Sequence, residues 1–210
     1  MLRLTLSMPC YLRPRRTIRA IESICNQNIN GWEALVVGDG CPIMSDFILS
    51  NTFDSMVNEC RSKGNILSIS NNPENKGGCG YSIINQNINA AKGKYFLFLS
   101  NDDIILPFHF DNYLSGIENT DYDFVCYNSY IEPTKSVRFT EIKNGCIGHS
   151  ELIVKTEFLK KMPLHTAEYG HDWLLVNNMV NNGGKYCKLQ SNPYSYIVKG
   201  LGDLRQDIID

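Results

Sequence analysis

The chain has 210 residues, and 43% of them are hydrophobic, which is enough for one full-sized core and short for two. We therefore expect a single domain over residues 1–210. The 20 basic and 22 acidic residues nearly cancel, and no basic run is interleaved with aromatic residues, which excludes the usual pattern of a nucleic-acid-binding protein. No apolar run approaches the roughly 18 residues of a membrane-spanning helix, so the sequence predicts no integral membrane segment.

The cysteine pattern indicates a reducing compartment. Eight cysteines are scattered along the chain, without a C-x-x-C pair or the spacing of a zinc site. Since no signal peptide is recognised either, we expect a soluble, cytoplasmic protein with free thiols. A membrane anchor elsewhere in a longer parent chain stays open.

Strand-like and helix-like segments alternate through the first half. Apolar runs predict strands, and apolar residues spaced by three and four predict helices. The predicted elements are a strand over 2–8, a helix over 13–27, a strand over 33–40, a helix within 47–60, a strand over 65–70, a helix over 80–93, and strands over 94–100 and 123–131. This order predicts an α/β fold with a mostly parallel central sheet and helices on both faces.

The second half is less regular and is expected to complete a cleft over the first. Its predicted elements are strands over 136–142 and 151–154, helices over 156–161 and 171–182, and late strands over 184–189 and 194–199. No repeat or linker-like segment separates the two halves.

Four predicted strands are followed by polar or flexible segments, over 8–11, 38–41, 71–80 and 100–103. In parallel sheets ligands bind beyond the carboxyl ends of the strands, so we expect the site there. Neither G-x-G-x-x-G nor G-x-x-x-x-G-K-[ST] occurs, so a dinucleotide-binding fold and a P-loop are not supported. The segment NPENKGGCG, which contains Gly78, either brings backbone N–H groups to an anion or is a plain flexible turn.

The run KYFLFLSNDD ends a buried strand in two adjacent carboxylates, Asp102 and Asp103. Mg²⁺ typically takes one or two carboxylates plus phosphate oxygens, and Ser100 and Asn101 offer further oxygens. The segment therefore favours a metal-assisted phosphate site, although a turn of this composition also caps helices.

Two further carboxylates have both a structural and a functional interpretation. Asp39 follows a buried strand and either binds a base or ribose or caps the turn. Asp172 stands at the start of a predicted helix, as a cap or as a general base. The basic cluster at Arg13 suits one small anion or a solvated helix face.

Taken in order, these motifs resemble glycosyltransferase family 2, whose members have the GT-A fold. SMPCYLRPRRTIRAIESICNQNINGWEALVVGDGCP resembles the opening of the family, and NKGGCGYSIINQNINAAKGKYFLFLSNDD resembles the block that leads to its Asp-x-Asp metal motif. GHDWLLVNNMVNNGGKY resembles its Glu-Asp-Trp helix and the strand that follows. The resemblance covers about residues 5–190.

The resemblance implies a GT-A, Rossmann-like fold and a transferase that moves a sugar from a nucleotide-sugar donor, a UDP-sugar first, to a hydroxyl of a glycan acceptor. It divides the domain into a donor-binding half over 1–103 and an acceptor-binding, catalytic half over 104–210. Asp102, with Ser100, would bind Mn²⁺ or Mg²⁺, and Asp172 would be the base of an inverting reaction. The donor-binding residues would be Pro9, Tyr11, Arg13, Asp39, Gly78, Asn85, Asn101 and Asp103.

Three positions depart from the family pattern. Ser100 stands for the first Asp of the metal motif, Gly38 for the acid before Asp39, and His171 for the Glu before Asp172. A retaining reaction therefore stays open. Compact transferases of this kind occur in bacteria and in large DNA viruses, so the cytoplasm could be that of a host. The alternatives are a non-catalytic nucleotide- or carbohydrate-binding module and a nucleotide-sugar nucleotidyltransferase.

Overall fold

Strands and helices alternate in a computed structural model that describes residues 2–163 and 170–189, without the side chain of Cys79, and the backbone of 197–199. The strands are β1 Leu4–Cys10, β2 Trp32–Gly38, β3 Ile66–Asn71, β4 Tyr95–Phe98, β5 Asp103–Ile105, β6 Phe124–Cys126, β7 Ser129–Ile131, β8 Ser136–Arg138, β9 Leu152–Lys155, β10 Tyr186–Lys188 and β11 Ile197–Lys199. The helices are α1 Pro14–Cys25, α2 Pro42–Leu49, α3 Asp54–Ser62, α4 Tyr81–Ala90, α5 His109–Ile117, α6 Thr156–Leu159 and α7 His171–Asn181.

The central sheet has seven strands in the order β10-β6-β9-β4-β1-β2-β3. β1 pairs in parallel with β2 and β4, β2 with β3, and β6 with β10. β9 is antiparallel to both of its neighbours, β4 and β6. The predicted mostly parallel α/β sheet is confirmed, and the reversed β9 brings its first residues to the edge where β4 ends.

A smaller sheet with the order β5-β11-β7-β8 lies beside the central one. β11 pairs antiparallel with β5 and parallel with β7, and β8 pairs antiparallel with β7. The predicted strands over 123–131, 136–142 and 194–199 contain β7, β8 and β11, but their pairing into a second sheet was not predicted, and neither was the three-residue strand β5.

Two apolar cores cover the two faces of the central sheet. Successive side chains of a strand point to opposite faces, so Tyr95 and Leu97 of β4 join one core while Phe96 and Phe98 join the other. Helices α1, α2, α3 and α5 contribute buried residues to the first core, and α4 and α7 to the second. The layered arrangement places helices on both faces, as the alternation of elements predicts.

Two predicted elements differ from the observed ones, and one observed helix was not predicted. The helix expected within 47–60 is two helices, α2 and α3, because the chain turns at Asn51 with φ of 55°. The strand expected over 123–131 is divided between β6 and β7, which belong to different sheets. Helix α5 was missed, although most of its inward residues are apolar. Of the last predicted strand, over 194–199, residues 197–199 form β11 and residues 194–196 lie outside the described residues.

The seven cysteines that the structure describes as side chains are free, as expected. In the described part of the chain, no helix is long and apolar enough to cross a membrane.

Candidate functional site

The turn between β1 and α1 has an unusual backbone. Leu12 and Arg13 both have left-handed conformations, with φ of 55° and 57°, which cost an ordinary residue about 1–3 kcal/mol each. The Asn101 side-chain amide holds the turn by donating to the Leu12 carbonyl at 3.2 Å and to the Thr17 hydroxyl at 2.9 Å. Asn101 is buried, so it connects the end of β4 to the end of β1.

This turn brings Arg13 to the predicted metal ligand. The Arg13 guanidinium donates to Asp102 Oδ2 at 2.7 Å, and the two side chains are 20% and 14% exposed. A charge-assisted hydrogen bond of this kind is shorter and stronger than one between neutral groups. The sequence reasoning named both residues but did not predict that they contact each other.

Asp39 lies at the end of β2 and is buried. Its two carboxylate oxygens accept hydrogen bonds from the backbone N–H groups of Lys76 and Gly77, at 3.0 and 3.1 Å. The carboxylate therefore fixes the glycine-containing loop against the end of β2. Each carboxylate oxygen has two acceptor sites, so Asp39 keeps capacity for a ligand.

The structure explains why glycine precedes Asp39. A Cβ atom at Gly38 would lie 2.2 Å from Oδ1 of Asn71 and 2.9 Å from Cβ of Met44. Asn71 is itself fixed, because its amide donates to the Cys41 carbonyl at 2.9 Å and its Oδ1 accepts from the Cys41 N–H at 3.0 Å. The acid that the family pattern has at this position would not fit.

The other predicted donor-binding residues lie around the same edge. Pro9 packs against the loop, since a Cβ at Gly80 would be 2.6 Å from Cβ of Pro9. Tyr11 is 46% exposed, Gly78 begins a short 3-10 turn with φ of 62°, and Asn85 lies half-buried on α4.

Asp103 connects this edge to the second half of the chain. It is the first residue of β5, it is buried, and its Oδ2 accepts a hydrogen bond from the Ser150 hydroxyl at 3.2 Å. The Ser150 carbonyl accepts in turn from the hydroxyl of Tyr127 at 2.9 Å. Burial raises the pKa of Tyr127 well above its usual value, so this hydroxyl stays protonated and donates.

Three side chains next to Ser150 form a cluster that we call the His-His-Asp cluster: His149, His171 and Asp172. Nδ1 of His149 lies 2.8 Å from Oδ1 of Asp172, and Nε2 of His171 lies 3.7 Å from the same oxygen. The His149 ring stacks on Phe98 of β4 with ring centroids 4.9 Å apart. Burial lowers the pKa of His171 and the nearby His149 lowers it further, while Asp172 opposes the shift.

The structure thus joins the predicted metal-motif segment to the predicted base. Asp103 contacts Ser150, Ser150 follows His149, and His149 contacts Asp172. His149 and Ser150 were not predicted as site residues, because the sequence does not indicate that β9 runs antiparallel to its neighbours. The polar triplet Gly-His-Ser before the apolar run LIV was the available signal.

The residues near Asp102 fit a metal ion held by one protein carboxylate. Ser100 is exposed, whereas the Asn101 amide contacts the β1–α1 turn and Asp103 contacts Ser150. A single carboxylate with a hydroxyl is within the range that Mg²⁺ accepts when phosphates and water complete its shell. Among the described residues, the one group of three or more His, Cys, Asp or Glu side chains placed to share an ion is the His-His-Asp cluster.

Comparison with protein families gives a match over most of the chain. The model of glycosyl transferase family 2 matches residues 5–181. A search of curated proteins found no match.

Several solved structures share the fold. The TarS fragment 1–349 of S. aureus in complex with UDP has a TM-score of 0.76 at 17% identity, covering 96% of this chain and 61% of that one. The same fragment with UDP-GlcNAc has a TM-score of 0.74 at 18% identity, covering 96% and 60%. The mannosyltransferase PcManGT from Pyrobaculum calidifontis, with GDP-Man and Mn²⁺, has a TM-score of 0.71 at 15% identity, covering 98% and 58%. The chain therefore spans about three fifths of the length of these structures.

Proposed function

We propose that this chain, which belongs to glycosyl transferase family 2, is a nucleotide-sugar glycosyltransferase that transfers the sugar of a UDP-sugar to a hydroxyl group of a glycan acceptor, with inversion. The observation that supports this most is the connection of the strand-end residues to Asp172 through Asp103, Ser150 and His149. The UDP and UDP-GlcNAc complexes of TarS favour uridine, and the GDP-Man complex of PcManGT makes guanosine the next nucleotide to test.

The nucleoside would bind over the loop that Asp39 fixes. Pro9 and Tyr11 offer an apolar and an aromatic surface beside it, and Asp39 offers the remaining acceptor sites of its carboxylate. Gly78 and Asn85 follow this loop, in the 3-10 turn and on α4. Because the carboxylate already accepts two backbone N–H groups, it is held in one orientation before the donor binds.

The diphosphate would bind beside the Arg13–Asp102 ion pair, on the side of the Arg13 guanidinium. Asp102 and Ser100 would hold Mn²⁺ or Mg²⁺, which when bound would supply positive charge to offset the charge that develops on the departing diphosphate. Arg13 adds a permanent positive charge at the same place, 2.7 Å from Asp102. Asn101 fixes both residues through the β1–α1 turn, and Asp103 connects them to the acceptor side.

Asp172 is the proposed base for the acceptor hydroxyl. It is 38% exposed, whereas its neighbours His149 and His171 are 10% and 11% exposed, so an acceptor can reach the carboxylate from solvent. The contact with His149 at 2.8 Å orients the carboxylate. Deprotonation of the hydroxyl as it attacks the anomeric carbon gives a single displacement and therefore inversion.

Substitution of the base tests this proposal. Asp172→Asn keeps the size of the side chain and should reduce sugar transfer by about 10²–10⁴-fold, while the affinity for UDP-sugar changes by less than about threefold. Asp46→Asn, at an exposed position on α2, is the matched control and should leave both quantities unchanged. Unchanged turnover in Asp172→Asn would remove Asp172 from the role of base.

A further inference from the structure

The His-His-Asp cluster has the composition and placement of a metal site of its own. We propose that His149, His171 and Asp172 together bind a borderline divalent cation of the Zn²⁺ type, at a place separate from Asp102.

The distances within the cluster suit such an ion. One ligand atom from each side chain can be chosen so that all three lie within 4.8 Å of one another. Zinc held at about 2.0–2.1 Å in a tetrahedral site places its ligand atoms roughly 3.3 Å apart. The observed separations of 2.8 and 3.7 Å from Asp172 Oδ1 bracket this value, and the 4.8 Å limit of the whole group exceeds it, so the side chains need to rotate to close around an ion.

The ligand types distinguish this site from the one at Asp102. Imidazole nitrogens favour Zn²⁺, Ni²⁺ and Cu²⁺, whereas carboxylate and hydroxyl oxygens alone favour Mg²⁺ and Mn²⁺. The two sites should therefore select different ions.

The surrounding structure fixes His149 before an ion binds and couples the positions of His171 and Asp172. His149 lies in a turn that Glu151 fixes, because Oε2 of this buried carboxylate accepts the Gly148 N–H at 2.7 Å. The ring of His149 also packs on Phe98. His171 and Asp172 are consecutive residues of the first turn of α7, so their positions are coupled.

A zinc site with three protein ligands and a fourth coordination position open to solvent is typical of an accessible site; closed structural sites have four protein ligands. Asp172 is the exposed member, at 38%, and it leaves a coordination position open to solvent. This consequence rests on the proposed function: an ion bound to Asp172 occupies the base, so Zn²⁺ should inhibit transfer even when Mn²⁺ and donor are saturating.

Direct zinc binding tests the site without the need for activity. The full chain, freed of metal by a chelator, is titrated with Zn²⁺ in competition with a chromogenic zinc indicator. Wild type should bind one ion, and His171→Gln and His149→Gln should each weaken it by about tenfold or more. Glu157→Gln, whose side chain is 85% exposed on α6, is the control and should bind as wild type does.

Two further readouts keep the test decisive. Circular dichroism tests whether each variant is folded. If a histidine variant is not folded, Asp172→Asn is used in its place. Co²⁺ gives absorption bands that differ between nitrogen-oxygen and thiolate ligands, so a thiolate band would assign the ion to cysteines and overturn the proposal. Equal zinc affinity in wild type and His171→Gln would also overturn it. Zinc that binds at the cluster without inhibiting transfer would support the site and contradict Asp172 as the base.

Discussion

At the scale of single residues, the contact between Arg13 and Asp102 changes the expectation for the metal ion. A guanidinium 2.7 Å from the carboxylate competes with any cation that uses the same oxygen. Hydrogen bonds to charged groups contribute about 1.5–3 kcal/mol, so displacement of Arg13 lowers metal affinity appreciably. In the proposed site Arg13 and the ion would share one carboxylate, and the balance between them would set how strongly donor binding depends on metal.

Removal of this competitor should strengthen metal binding. Arg13→Met keeps the apolar part of the side chain and frees Asp102 Oδ2, so Mn²⁺ should bind about tenfold more tightly. The measurement is the loss of free Mn²⁺ signal in electron paramagnetic resonance, made in a His171→Gln background so that the His-His-Asp cluster does not contribute. Arg19→Met, at a 54% exposed arginine of α1, should have no effect, and unchanged Mn²⁺ affinity in Arg13→Met would contradict the competition.

Gly38 is a second residue whose identity has a local steric cause. Gly38→Ala places a Cβ 2.2 Å from Asn71 Oδ1, so we expect a loss of about 1–3 kcal/mol in the free energy of unfolding. Urea denaturation measures this loss. In an Asn71→Ala background the same change should cost less, because the obstructing amide is gone; an equal cost in both backgrounds would disprove this cause.

At the scale of elements, the first half of the fold is predictable and the second is not. β1, β2 and β4 are continuous buried runs, and α1 has its apolar residues at helical spacing, so pattern alone identifies them. The split between β6 and β7 cannot be found this way, because hydrophobicity does not indicate where a strand leaves one sheet for another. The direction of β9 is likewise set by its neighbours, and this direction brings His149 and Ser150 to the site.

The β1–α1 connection gives a prediction about an element. Asn101→Ala removes two hydrogen bonds and leaves the Leu12 carbonyl without this donor, so the free energy of unfolding should fall by about 1–3 kcal/mol. Hydrogen exchange at the Thr17 N–H, which donates to the Arg13 carbonyl at 2.9 Å, should be faster. Asn58→Ala on the exposed side of α3 is the control, and unchanged exchange at Thr17 in Asn101→Ala would show that Asn101 does not hold this turn.

At the scale of the whole molecule, both halves of the chain contribute to the same sheet. β1–β4 come from residues before 103, whereas β6, β9 and β10 come from after it, and each apolar core contains residues of both halves. We therefore propose that donor and acceptor sides form one folding unit. Unfolding in urea should show one transition, coincident by tryptophan fluorescence and circular dichroism, and two separated transitions would contradict a single domain.

Much of the site follows from this architecture. Asp39, Asp102 and Asp103 meet at one edge because parallel strands end together there, which sequence order alone predicts. The contact of Arg13 with Asp102 depends on two left-handed residues, and that of His149 with Asp172 depends on the reversed β9. Neither backbone feature has a recognisable signature in the residues themselves.

Donor binding tests the proposed function directly. Thermal unfolding is followed with UDP-, GDP- and dTDP-sugars, each with Mn²⁺ and with EDTA. A donor at 100 times its dissociation constant should add about 2.7 kcal/mol, which raises the melting temperature by roughly 5–10 °C for a chain of this size. We expect this rise in melting temperature for a UDP-sugar, and we expect it to be larger with Mn²⁺ than with EDTA. No rise with any donor, in a protein shown to be folded, would contradict the proposed function.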